Sequence, residues 1–137
     1  MISRIEKAVD KGDKAEISQI ISHTSLLNQT THWEFVLEHL SGEDWEALVY
    51  NALGITYYHQ LRDFSKSVEF HIKAGEEFFN FRVDKYAGLN YEITGDIYKK
   101  HLHDEENART YYLKAGEMYE EAGMFEDAQR CYEKAGG

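Results

Sequence analysis

The 137-residue chain contains no proline and only one cysteine, Cys131. Without proline nothing removes a backbone amide from a helix or fixes φ at a turn, which favours long uninterrupted helices over the many turns of a β fold. A lone cysteine cannot close an internal disulfide, so the sequence is expected to belong to a reducing, cytoplasmic setting. No apolar run approaches the roughly 20 residues that a bilayer span needs. The opening residues Met1-Ile2-Ser3-Arg4-Ile5-Glu6 are too charged for the apolar centre of a signal peptide. Basic residues are the minority, 15 Lys and Arg against 25 Asp and Glu, for a net charge of −10. That excess repels a phosphate backbone and argues against DNA or RNA as a partner. It describes a solvated surface, and it would also favour a basic protein partner.

What the chain does contain is a repeat. Five copies of an aromatic-x2-small-Gly-x2-aromatic pattern begin at Tyr50, His71, Tyr91, Tyr112 and Tyr132, spaced 20 or 21 residues apart. Their small-Gly pairs are Leu53-Gly54, Ala74-Gly75, Thr94-Gly95, Ala115-Gly116 and Ala135-Gly136, with Thr94 and Leu53 the largest members. The second aromatics are Tyr57, Phe78, Tyr98 and Tyr119, and the fifth copy stops before its own. Positions i, i+3, i+4 and i+7 share one face of an α-helix. Glycine inside a helix costs about 1 kcal/mol relative to alanine, so its recurrence predicts close approach of neighbouring helices, with aromatics filling the space beside each crossing. Four residues before the first aromatic, Ser67, Ala87, Ala108 and Ala128 are small as well. A fixed period of this kind marks stacked helical repeats.

Asp63, Asp84 and Asp104 recur at the same period where N-caps are wanted, and Gly123 closes a helix before Phe125. Helices are therefore predicted at 43–61, 63–80, 84–101, 104–122 and 125–136, joined by tight turns and running antiparallel. The first 40 residues lack the pattern. Ile2, Ile5 and Ala8 mark a short helix ending at Gly12. Asp13-x2-Glu16 opens a second, with Ile17, Ile20, Ile21 and Leu26 inward. Thr31-x2-Glu34 opens a third, carrying Trp33, Val36, Leu37 and Leu40. The expected organisation is an N-terminal helical cap at 1–40, too short to fold alone, on a repeat region at 41–137, the two forming one continuous domain.

The stretch Tyr50-Asn51-Ala52-Leu53-Gly54-Ile55-Thr56-Tyr57-Tyr58, with Asp63-Phe64 and Ala74, resembles a tetratricopeptide repeat. So does Glu117 to Ala128, followed by Tyr132 and Ala135. The resemblance covers about residues 43–137. Two departures stand out: Gly54 and Gly95 are 41 residues apart, against the usual repeat of about 34, and the closing proline is absent. Long-helix variants of this kind resemble the arrays of vesicle-fusion attachment proteins and of bacterial Rap-type or LGN-type regulators. The resemblance implies an all-α solenoid of antiparallel helical hairpins in a right-handed superhelix, acting as a protein-binding scaffold or adaptor without catalysis. Which helices line its concave side stays open. If those at 43–61 and 84–101 do, the contact positions fall on Asn51, Ile55, Tyr58 and His59, then Leu89, Glu92, Asp96, Lys99 and Lys100. The family's clamp for a C-terminal carboxylate needs Lys, Asn and Arg where this chain has Asn51, Ile55, Leu89 and Ile93, so binding of chaperone tails is disfavoured.

Chemistry has little footing. His101-Leu102-His103-Asp104-Glu105-Glu106 gathers metal-capable side chains at a helix junction, but an N-cap aspartate flanked by surface histidines accounts for it without a metal. His32 and His39 are seven apart and could share a helical face, with no carboxylate or cysteine partner at ligand spacing. Cys131 lacks a paired histidine and reads as a structural thiol. No glycine-rich phosphate loop follows a strand, and no cofactor is expected. Phe125, Ala128, Tyr132 and Ala135 leave a half-used apolar face on the last helix, which predicts a longer array, a homodimer through that helix, or a docked partner. Two functional classes follow: an interaction scaffold for a peptide or helix of a partner protein, or a peptide-responsive regulator or small secretion-type chaperone.

Overall fold

The computed structural model describes residues 2–23 and 31–136, and among these every regular element is a helix. The elements are α1 (Ile2–Lys11), α2 (Lys14–Ser22), α3 (Thr31–Glu38), α4 (Trp45–His59), α5 (Phe64–Asn80), α6 (Asp84–Lys100), α7 (Glu105–Glu121) and α8 (Phe125–Gly136). The five repeat helices lie within about two residues of their expected bounds, the ordinary latitude of helix ends. Leu26, expected to face inward, and Gly137 lie outside the described residues.

Each repeat helix packs on the next in chain order. Gly88 of α6 meets Tyr119 of α7 while Gly95 meets Tyr112, so the two helices run antiparallel. The glycines are explained by rings rather than by backbones. A Cβ at Gly54 would lie 2.7 Å from the imidazole of His71 on the next helix, and Gly75, Gly95 and Gly116 stand in the same relation to Tyr91, Tyr112 and Tyr132. The first aromatic of each unit thus seats on the glycine of the unit before it. The small residues one turn earlier, Ser67, Ala87, Ala108 and Ala128, are all buried, and Ser67 Oγ donates to the Gly54 carbonyl at 2.8 Å.

The turns repeat too. Arg62, Arg82, His103 and Gly123 each adopt a left-handed conformation, with φ of 52°, 58°, 52° and 76°. In each turn the following amide reaches back to the carbonyl six residues before it or five, as Asp63 does to Tyr57 and Val83 to Phe78. Asp63 and Asp104 cap the next helix, their carboxylates accepting from the amides of Lys66 and Asn107. Asp84 does not: Val83 occupies the cap position and Asp84 is the first helical residue. Its carboxylate takes Arg82 at 3.1 Å instead and lies near the positive end of the helix dipole.

The N-terminal helices join the same interior. Asp13 accepts from the Glu16 amide and opens α2. Ile5, Val9, Ile17, Ile21, Trp33 and Val36 are buried in one cluster with Trp45, Val49 and Leu53 of α4 and Phe70 of α5. Leu37 and Leu40 pack against it half-buried. Two polar bonds fix the placement: Trp33 Nε1 donates to Thr56 Oγ1 at 2.9 Å, and the Tyr57 hydroxyl donates to Glu6 at 2.6 Å. α1 to α3 therefore cover a face of α4 that would otherwise lie open. No described helix is long and apolar enough to cross a membrane.

Candidate functional site

The 41-residue spacing makes the α4–α6 step equivalent to the α6–α8 step, and the two are lined differently. At α6–α8 the facing residues are long and charged. Glu92 of α6 is 6% exposed and accepts from Arg130 Nε and Nη2 and from Lys134 Nζ, each at 2.8 Å. The Tyr119 hydroxyl adds a third donor residue at 3.1 Å. Asp96 takes the Tyr112 hydroxyl at 2.6 Å and Lys134 at 3.2 Å. Burial alone would push the Glu92 carboxyl up; the hydrogen bonds and charges of Arg130 and Lys134 override it and bring it down to about 2. This step is closed by an ionic bridge.

At α4–α6 the equivalents of Glu92 and Asp96 are Asn51 and Ile55, and those of Arg130 and Lys134 are Leu89 and Ile93. None of the four reaches across as Arg130 does. A cavity of about 330 Å³ remains. α4 supplies Leu48 and Asn51 to its wall, and α6 supplies Tyr86, Leu89 and Asn90. The end of α5 adds Phe78, and α3 closes the far side with His32, Phe35 and Val36. Phe35, Tyr86 and Leu89 are each nearly half exposed, so large apolar side chains form a mouth open to solvent. Exposed apolar surface gathered in a concavity marks a binding groove more often than chance.

One polar side chain at the groove is held on both sides. Asn90 Oδ1 accepts from His71 Nδ1 at 2.8 Å, and Asn90 Nδ2 donates to the Tyr86 carbonyl at 2.9 Å. His71 is buried against Gly54, and that burial takes its pKa down to about 4, so the ring is neutral. His32 is also lowered, by burial and then by nearby His59. Asn90 is therefore fixed in place, and its partner His71 carries no charge.

Of the contact positions expected from the sequence, Asn51 and Leu89 line this groove. Ile55 is half-buried and His59 exposed on the same helix. The Tyr58 hydroxyl lies 2.9 Å from His101 Nε2, and that imidazole stacks on Phe64 at 3.9 Å. Glu92 and Asp96 are occupied by Arg130 and Lys134 of α8. Lys99 and Lys100 are exposed on the last turn of α6. Phe35, His32 and Val36 had no repeat pattern to reveal them, whereas the contrast of Asn51 and Leu89 with Glu92 and Arg130 is readable at a spacing of 41.

The other chemistry-bearing residues are tied into structure. Asp104 caps α7, and His101 is bonded and stacked as described. Among the described residues no three His, Cys, Asp or Glu side chains are grouped to hold a metal ion. The Cys131 thiol is buried, and burial, then the nearby Glu92 carboxylate, push it up to about 12. No family model matches this chain, and no curated protein or solved structure matches it.

Proposed function

We propose that the protein is a protein-interaction scaffold that receives a peptide or helix of a partner in the α3–α4–α6 groove and performs no catalysis. Asn51 and Leu89 are its central contacts, with Phe35 and Tyr86 at the mouth. The carrying observation is the contrast between two equivalent steps, one bridged by Glu92, Arg130 and Lys134 and the other left as an apolar cavity. The constant seating of rings on glycines supports a tetratricopeptide-like solenoid of long helices as the frame, with α4, α6 and α8 on its concave side. A reducing compartment such as the cytoplasm suits the free thiol of Cys131.

The test is capture from a lysate with wild-type and Leu89→Asp baits in parallel, both checked for helicity, and read by mass spectrometry. A stoichiometric protein held by the wild type and lost from the variant is the expected result. Identical capture by both baits would place binding elsewhere.

A second reading, self-association through α8, is supported by Phe125, which is 69% exposed. Light scattering across a dilution series tests it; a constant monomer mass would remove it.

A further inference from the structure

We propose that the groove selects its partner by one bulky uncharged side chain, aromatic or branched aliphatic, and excludes anchors that carry charge. The proposal rests on the groove being the binding face and names the chemistry that the face accepts.

Charge makes the argument. Although 29% of the chain is Asp, Glu, Lys or Arg, among the described residues none of these types lines the cavity. A lysine or glutamate head group seated there would lose part of its hydration and find no charged partner on the lining, a cost that an uncharged side chain does not bear. The equivalent step between α6 and α8 shows what a charge-accepting version looks like, since there Glu92 answers Arg130 and Lys134 within 2.8 Å. Replacing Glu92 by its equivalent Asn51 removes that acceptor, and replacing Arg130 by Leu89 removes the donor.

Size and polarity narrow the occupant further. The cavity of about 330 Å³ stands at the lower end of the range for small-molecule sites, about 300–1,000 Å³. That room is enough for one large side chain of a partner. Phe35, Leu48, Phe78 and Leu89 give the anchor apolar walls. The amides of Asn51 and Asn90 are neutral groups of the kind that meet a peptide backbone. Asn90 is already fixed by His71 and Tyr86, so Asn51 is the amide free to adapt.

The full chain is titrated with four blocked amino acids, the N-acetyl amides of tryptophan, leucine, lysine and glutamate, while amide and methyl NMR shifts are followed. Saturating shifts confined to Val36, Leu48, Asn51, Phe78 and Leu89 are expected for tryptophan and leucine, with at least tenfold weaker responses to lysine and glutamate. The variant Asn51→Glu with Leu89→Arg copies the ionic bridge of the next step and is expected to abolish the response. Leu89→Glu alone, at an exposed position, provides the same reading if the double variant does not fold. Equal responses to charged and uncharged probes, shifts spread over other helices, or an unchanged response in the folded variants would overturn the proposal. These titrations need no partner, so they separate failure of the anchor chemistry from failure of the scaffold reading.

Discussion

Tyr112 lies so close to Gly95 that a Cβ added to the glycine would fall 2.7 Å from two carbons of the ring. The ring cannot swing aside without breaking the bond from its hydroxyl to Asp96. The same relation joins His71 to Gly54 and Tyr132 to Gly116, so one steric device sets the spacing of the repeat helices.

Gly95→Ala should therefore destabilise the fold even though alanine is the better helix former. The propensity gain is about 1 kcal/mol, and overpacking a filled site costs about 1–3 kcal/mol. A net loss of up to about 2 kcal/mol in urea unfolding is expected. Gly136→Ala is the control, because nothing lies within 4 Å of its added Cβ. It should fall within about 0.5 kcal/mol of the wild type.

Replacing Glu92 with Gln takes from Arg130 and Lys134 their shared buried carboxylate and leaves them only the more exposed Asp127 and Asp96. Breaking a buried pair costs about 3–5 kcal/mol, but these two cations are 45% and 33% exposed. Solvent recovers part of that, and a loss of about 2 kcal/mol is expected. Denaturation of the single variant and of Glu92→Gln with Arg130→Leu would show partial recovery in the pair if the loss of Arg130's buried partner is the cause.

Stability should fall on acidification in two overlapping windows. Both His71 and Glu92 have folded pKa values below their unfolded ones, so the unfolded chain binds more protons and stability rises with pH. The His71 contribution is full above 6.5 and is lost as pH falls towards about 4. It amounts to at most about 3 kcal/mol. The Glu92 contribution is full above 4.5 and is lost as pH falls towards about 2. His71→Gln should shrink the upper window, to which the lowered His32 also contributes, and leave the lower one unchanged. A wild-type stability that stays level from pH 7 to 4.5 would contradict the burial assigned to His71.

Cys131 should resist iodoacetamide in the native protein and react when α8 detaches. Its thiol is inaccessible and protonated at neutral pH, with its pKa pushed to about 12. Alkylation followed by mass spectrometry, with and without urea, should differ by orders of magnitude. Rapid native labelling would mean that α8 opens readily.

His103 is exposed in a left-handed turn at φ 52°, a conformation costing a non-glycine residue about 1–2 kcal/mol. His103→Gly should raise stability by up to about 1 kcal/mol, the rest being offset by the freer unfolded chain. Thermal unfolding reads it directly.

The repeat helices were legible because a period of 20 or 21 residues repeats the ring-glycine pair, so each unit confirms its neighbour; the left-handed turns at Arg62, Arg82 and His103 carry no glycine and were not. The short helices α1 to α3 were legible from local caps and periodicity, as Asp13 and Trp33 illustrate. Asp84 misled, since it stands one residue too late to cap and uses its charge at the first turn instead. The groove was half legible. Asn51 and Leu89 follow from which face of α4 and α6 is shared, but Glu92 sits on that same face and is covered by Arg130. Reach across a step, not position on a helix, decides whether a site is open. Phe35 enters from α3, a helix outside the repeat, which no periodicity could place against Leu89.

The most direct measurement is the affinity of the first stoichiometric partner for the wild type and for Asn51→Glu with Leu89→Arg, by calorimetry. The account predicts at least a tenfold loss on closing the groove, with helicity and melting temperature retained. Equal affinity for both proteins would contradict it.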